Sequence, residues 1–452
     1  MHVNRRVLPL IFLASALVAG GAEQPNIVFI VADDLGGADV GFRGSEIKTP
    51  NLDKLALAGA RLEQFYVQPV CSPTRAAFMT GRYPIRYGLQ VGVIRPNARY
   101  GLPLEERMLP QALREVDYTT ALVGKWHLGS FESNYWPNAR GFDFWYGHLF
   151  GAIDYFKHTR DAKHDWFRNG EPSHDEGYST HLLAREAVRV IRDQPNHKPL
   201  FLYVAFNAVH APHQVPPEYK KPYEHLSEPR RTYAGMVAAL DEAVGQVTAA
   251  IEQTGRSKNT LVVFSSDNGG PRPGTVTSNG SLRAGKTSLY EGGVRAVAFA
   301  TWPDHIPAGT SINTPLHMVD WYPTLLKLAG ASLKQKLPLD GLDLWPCLTR
   351  DKSSPHKEIL INATPTVGAL RMGDWKLVVH DTAEAIGSRR RANRTANAFM
   401  PRSDELFNLA RDAEEKNNLA GVEPRTLKKL RARYYELARQ AVPPKNRNPN
   451  AD

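Results

Sequence analysis

Cysteine is nearly missing from this chain: its 452 residues hold two, Cys71 and Cys347. A disulfide framework is thereby excluded as the source of stability, and a chain of this length can bury a large core without one. Long apolar runs are also scarce. Residues 7–19 stand out, yet they are too short for a comfortable membrane span. Arg5 and Arg6 precede that run, and Gly20, Gly21 and Ala22 follow it, which predicts a secretory signal peptide over residues 1–22. No cysteine follows to take a lipid anchor. The expectation is an exported protein, periplasmic or secreted, without stable membrane insertion. Internal repeats are absent, as are a GxxxxGK[ST] phosphate loop and any nucleic-acid recognition motif.

The rest of the composition is that of a globular protein, with 42% apolar and 23% charged residues. The formal net charge is +10, falling to about +8 once the two leader arginines are removed. This balance suits an acidic substrate, and with no recognition motif it does not point to nucleic acid.

Four runs carry the fold signal. Residues 26–32 are continuously apolar and β-branched, and end in Asp33-Asp34. Residues 118–124 end in Lys125-Trp126-His127. Residues 200–206 lead into a segment with His210. Residues 260–264 end in Ser265-Ser266-Asp267-Asn268. Apolar runs without alternation predict strands covered on both faces, as in a parallel sheet. In open α/β sheets, ligands bind beyond the carboxyl ends of the strands. Convergence of the four ends would give one hard cation oxygen from Asp33, Asp34, Asp267 and Asn268. Lys125, His127 and His210 would face an anion beside it. Adjacent carboxylates repel and need such a cation, or hydrogen-bond donors.

Helices are predicted over residues 50–58, 104–115, 178–194, 233–254, 321–328 and 423–440. Residues 138–175, rich in aromatics and glycine, read as a long irregular connection. Residues 281–295 form a Gly-rich loop holding Lys286. After residue 344 the texture changes. Residues 374–380 read as a strand with one exposed face and 404–409 as a second strand. Between them, Arg389, Arg390, Arg391 and Arg394 make residues 383–397 a mobile, solvated insertion.

The stretch that joins these parts is Cys71-Ser72-Pro73-Thr74-Arg75. Ser72 is placed to cap a helix and Pro73 to occupy its first position, which sets Cys71 just ahead of a helix N-terminus. Taken alone, Cys71 is equally well a small buried hydrophobe or half of a disulfide with Cys347.

The segment from Cys71 to Arg75 resembles the signature of the type I, formylglycine-dependent sulfatases. Gly124-Lys125-Trp126-His127-Leu128-Gly129 resembles their second signature, and the similarity runs from about residue 25 to 419. Residues 81–86, 233–237 and 291–295 are most similar to the arylsulfatase B branch, the N-acetylgalactosamine-4-sulfatases. The resemblance implies an alkaline-phosphatase-like α/β fold, a large mixed sheet between helices. A smaller C-terminal α+β domain on a four-stranded antiparallel sheet would follow. The expected divisions are a signal peptide at 1–22, a catalytic domain at 23–345, a C-terminal subdomain at 346–442 and a loose tail at 443–452.

By the same resemblance, a maturation enzyme converts Cys71 to formylglycine. One calcium ion is held by Asp33, Asp34, Asp267, Asn268 and the modified Cys71. Arg75 and Lys125 orient the nucleophile, His127 is the base that releases sulfate, and His210 and Lys286 hold the sulfate. The implied substrate is a sulfated carbohydrate, from a glycosaminoglycan or an algal polysaccharide, or an aryl sulfate. His148, Asp154, Tyr155 and Arg283 are candidate sugar contacts. Three departures bear on the substrate: Asp117 stands where the second signature usually has glycine, residues 147–151 lack a hydroxyl that some sulfatases place near the sulfate, and the disulfide cysteines of animal relatives are missing. Two other functions are weighed, a phosphodiesterase or phosphonate hydrolase of the same superfamily and a non-catalytic binder of sulfated glycans.

Overall fold

The computed structural model describes residues 24–364, 366–380 and 403–445. The leader and the arginine-rich insertion expected from the sequence lie outside them.

A ten-stranded sheet organises the larger part of the chain. Its centre is five parallel strands in the order Thr260–Ser266, Asn26–Ala32, Leu200–Ala205, Thr119–Lys125 and Phe144–His148. Shorter strands extend both edges, and antiparallel pairing makes the sheet mixed. Strand periodicity sends Ile27, Phe29 and Val31 to one face and Val28, Ile30 and Ala32 to the other. The helices Cys71–Thr80 and Trp321–Leu328 cover the first face. Ser179–Asp193 and Arg230–Gln253 cover the second. Each buried large apolar side chain contributes about 1.5–3 kcal/mol, so the two faces carry most of the stability.

Arg230–Gln253 is long and apolar enough, by length and composition, to cross a membrane. From the sequence, residues 7–19 are too short to span and no other stretch is expected to cross a membrane. The helix is apolar because Tyr233, Met236, Val237, Leu240, Val244 and Val247 pack into the core.

The second sheet is four-stranded and antiparallel, in the order Ile359–Ile361, Gly368–Met372, Trp375–Val379 and Glu405–Asn408. The helix Pro424–Ala438 covers one face through Leu430 and Tyr434. The other face meets Tyr66, Leu289 and Val294 of the larger part. The exposed face expected for residues 374–380 is therefore covered, and even Lys376 is buried.

Other expectations need correction. The connection 138–175 contains the sheet strand Phe144–His148 and two short hairpins, so it is not irregular. Glycine and histidine inside that strand hide its pattern. The helix expected over 104–115 is only Leu109–Arg114, with Pro110 in its first turn. Asp117 has φ 64, the left-handed backbone that explains why glycine is usual at that position. Residue 445 of the expected tail is tied down, its N–H donating to Gly88 O at 2.9 Å.

Candidate active site

Register brings the strand ends level. Ala32 stands opposite Ser266, Val31 opposite Ala205, Ala205 opposite Gly124, and Lys125 opposite His148. The residues that follow these positions therefore meet at one edge. Gly124 is required there, because a Cβ would lie 1.9 Å from the Ala205 carbonyl oxygen.

The helix carrying Cys71 starts two residues earlier than expected. It spans Cys71–Thr80, with Val70 preceding it and no side-chain cap. Ser72 does not cap; its Oγ accepts from Ile94 N at 3.1 Å, which holds the loop above the site. Cys71 and Cys347 are both free and buried, so the disulfide alternative falls away. Pro69 O accepts from Thr287 N at 2.8 Å, which ties the Gly-rich loop of Lys286 to the Cys71 segment.

Around the Cys71 thiol the carboxylates and cations interleave. The thiol donates to Asp33 Oδ1 at 3.4 Å, and Lys125 Nζ donates to Asp33 Oδ2. Lys286 Nζ lies 2.7 Å from Asp34 Oδ1 and 3.4 Å from Cys71 Sγ. Arg75 donates to Asp267 Oδ2 from Nη2 at 2.8 Å and to Lys125 O from Nη1 at 3.2 Å. His210 Nε2 stands 3.5 Å from Asp34 Oδ2. Asn268 Nδ2 donates to Asp34 Oδ1 at 2.7 Å, while Asn268 Oδ1 is buried without a partner.

These surroundings set protonation. Burial raises the cost of ionising Asp33, but Lys125, His210, Arg75 and Lys286 outweigh it and hold the carboxyl below its ordinary range. Asp34 is lowered in the same way, burial being overcome by Lys286 and His210. Asp267 is raised, by burial and by repulsion from Asp33. Burial, then Asp267 and Asp33, pushes the Cys71 thiol up, so it stays protonated. Burial, then Lys125 and Arg75, holds His127 well below its usual value and therefore neutral. His127 Nε2 lies 3.0 Å from Ile94 O, which only accepts, so Nε2 carries the proton. Nδ1 is buried and has no partner, a free lone pair beside the cluster. Gly151 permits this placement: a Cβ there would sit 2.4 Å from His127 Cε1.

A hard divalent cation fits the donor set. Asp33, Asp34, Cys71 and His210 offer ligand atoms within 4.8 Å of one another. Asp267 and Asn268 lie beside them, and the partnerless Asn268 Oδ1 has the oxygen valence such an ion satisfies. Among these groups Asp33, Asp34, Asp267 and Asn268 are the oxygen donors that would hold it.

The cluster forms the floor of a cavity of about 680 Å³, whose lining includes Cys71, His127, His210 and Lys286. The candidate sugar contacts lie elsewhere. His148 is fully buried, with Nδ1 2.9 Å from Phe150 O. Tyr155 is buried and donates to the carbonyls of Asn207 and His210. Asp154 accepts from the backbone of Phe156 and Lys157 and from Gln214. Arg283 reaches Glu405 and the carbonyl of Glu415. The cavity wall is instead made by Arg95, Asn97, Arg160 and Lys163, which the sequence reading passed over. Their signal was weak, since each is a single polar residue in a loop or a two-residue strand.

Comparison with known proteins agrees with this geometry. The sulfatase family model matches residues 25–331. The chain is 38% identical to mouse arylsulfatase J, with 94% of this chain and 77% of that protein covered. It is 36% identical to rat N-acetylgalactosamine-6-sulfatase, over 83% of this chain and 75% of the relative. The crystal structure of Ps i-CgsB in complex with k-i-k-neocarrahexaose superposes with a TM-score of 0.82 at 34% identity, covering 93% of this chain and 94% of that one. The family expected from the sequence is borne out, and so is the alkaline-phosphatase-like fold. The narrower likeness to the arylsulfatase B branch is not carried by these relatives.

Proposed function

The chain belongs to the sulfatase family and hydrolyses sulfate esters, and on that premise we propose that it removes O-sulfate from a carbohydrate. We further infer that it uses a formylglycine made from Cys71 and a bound calcium ion, and that residues 1–22 export it. The observation that carries the reading is the convergence of Asp33, Asp34, Asp267, Asn268, Arg75, Lys125, His127, His210 and Lys286 on Cys71 at the floor of one cavity. A relative named for N-acetylgalactosamine and a neighbour bound to a carrageenan-type oligosaccharide support the carbohydrate.

The residues suit the chemistry. A sulfate ester must lose an alkoxide, so cations near the developing charge and a proton donor lower the barrier. An unmodified thiol is a poor fit, because burial and two carboxylates keep it protonated. Hydrated formylglycine would supply one hydroxyl whose oxygen bonds to sulfur as the alkoxide leaves, and a second whose deprotonation would re-form the aldehyde, break the first C–O bond and expel sulfate. A calcium ion held by Asp33, Asp34, Asp267 and Asn268 would supply Lewis acidity toward the bound sulfate. Arg75 and Lys125 fix the hydroxyls at position 71. His127, neutral with Nδ1 free, takes a proton from there. His210 and Lys286 face the sulfate, and one of them returns a proton to the leaving oxygen.

The test is sulfate release, followed by ion chromatography, from a set of defined sulfated mono- and disaccharides. Protein co-expressed with a formylglycine-generating enzyme is expected to release sulfate from at least one sugar and to lose that activity on chelation. Turnover of aryl sulfates alone would overturn the carbohydrate assignment. Full activity after thorough metal stripping would remove the calcium role.

A further inference from the structure

The wall of the cavity carries charges that the proposed reaction does not use. Thr159–Arg160 and Lys163–His164 form a two-stranded antiparallel ribbon in which Arg160 stands directly opposite Lys163. Asp161 and Ala162 make the turn, with φ of 51 and 62. Two successive residues at positive φ are the mark of the tight type I′ hairpin, where alanine is unusual. The ribbon is anchored to the protein. Asp154 N donates to Thr159 O at 2.8 Å, and Asp165 N donates to His158 O at 3.0 Å. The Asp165 carboxyl receives the N–H groups of Leu149 and Phe150 at 2.9 and 2.8 Å, in the loop that brings Gly151 against His127. Arg95, which also lines the cavity, directly follows Ile94, which Ser72 and His127 hold.

Like charges directly opposite on a ribbon repel and destabilise it. Asp161, 3.3 Å from Arg160, answers one of them. Lys163 and Arg95 have no ion-pair partner among the described residues. All three cations line the cavity that has Cys71 in its floor. A cavity of about 680 Å³ also has room well beyond a single sulfate group.

We propose that Arg95, Arg160 and Lys163 form a second anion subsite, which takes a negatively charged substituent carried by the same saccharide as the sulfate to be removed. The substituent is an oxyanion, a second sulfate or a carboxylate, and the guanidinium groups can bind either bidentately. The subsite makes the enzyme selective for multiply charged saccharides, and its contribution weakens as salt rises. The proposal rests on the sulfatase reading of the cavity floor.

Calorimetric titration of Cys71→Ala protein tests it without requiring turnover. Three disaccharides are compared: one with a single sulfate, one with an added sulfate, and one with the single sulfate and a uronate. The doubly charged sugars are expected to bind at least about tenfold more tightly, and added salt is expected to shrink that ratio. Arg160→Ala with Lys163→Ala should abolish most of the ratio, and Arg95→Ala should lower it in part. Preference for the added sulfate over the uronate, or the reverse, identifies the anion. The proposal is overturned if the ribbon substitutions weaken all three sugars equally or weaken none. Failure of matured wild-type protein to release sulfate would count against the sulfatase reading, and the binding ratio would still decide the subsite.

Discussion

Two clusters of buried charge hold this molecule, and they use the same residue types to opposite ends. One is the floor of the cavity at Cys71. The other lies where the four-stranded sheet packs on the larger part of the chain, where Lys376 Nζ stands 2.9 Å from Glu291 Oε1 and 2.8 Å from Glu415 Oε1. There Tyr66 donates to Glu291 Oε2 at 2.8 Å, and Glu291 N donates to Glu415 Oε2 at 2.6 Å. Three carboxylate oxygens of that sealed cluster receive a hydrogen bond, and the fourth, Glu415 Oε1, has no hydrogen bond but has the Lys376 ammonium 2.8 Å away. The cluster at Cys71 instead leaves His127 Nδ1 and Asn268 Oδ1 without partners and opens on a cavity. Burial and charge are common to both. What marks a site for chemistry is unfilled valence turned toward a space that a ligand can enter.

The comparison predicts that function and stability separate. Cys71→Ala should reduce sulfate release by about a thousandfold or more while leaving the thermal midpoint near that of wild type. Near-wild-type turnover in that variant would break the assignment of the open cluster to catalysis. Lys376→Met should do the reverse. It leaves Glu291 and Glu415 buried with no ammonium between them, and should cost about 3–5 kcal/mol in denaturant unfolding. The folded fraction should still turn over substrate. A variant that unfolds normally but is inactive would show the sealed cluster to be part of the site.

The open cluster was legible in the sequence and the sealed one was not, for a physical reason. Parallel strands are buried on both faces, so residues 27–32, 121–123, 200–205 and 261–264 appear as unbroken apolar runs. Their ends are then found by inspection. Because register is fixed by the same sheet, four polar strand ends had to meet. Tyr66, Glu291, Lys376 and Glu415 sit in four separate segments with no common pattern, and only the docking of the second sheet joins them. The ribbon of Arg160 and Lys163 was hidden differently, since two-residue strands have no periodicity to read. Ser72 shows the limit of local rules: it has the residue type and position of a cap, yet it holds Ile94.

The smallest predicted effect separates single carboxyl groups by the sign of their response to pH, because each cluster holds both kinds: Asp267 and Glu415 are raised, while Asp33, Asp34 and Glu291 are lowered. Burial and repulsion by Glu291, only partly offset by Lys376, push Glu415 from 4.5 up to about 7. The folded protein then retains a proton that the unfolded chain gives up as pH passes its ordinary carboxyl value. Stability from Glu415 is therefore full at low pH and is lost as pH rises from about 4.5 through about 7. Asp33 and Asp34 are held low, so their contribution runs the other way, present above their ordinary value of 3.8 and lost as pH falls below it. Neutralising one group tests the contrast. Glu415→Gln keeps an oxygen acceptor for Glu291 N but cannot ionise, so the fall in unfolding midpoint between about pH 5 and 8 should be shallower in the variant than in wild type. Parallel slopes in the two proteins would mean that Glu415 is ionised in the folded protein across this range, Lys376 outweighing its burial and the repulsion by Glu291.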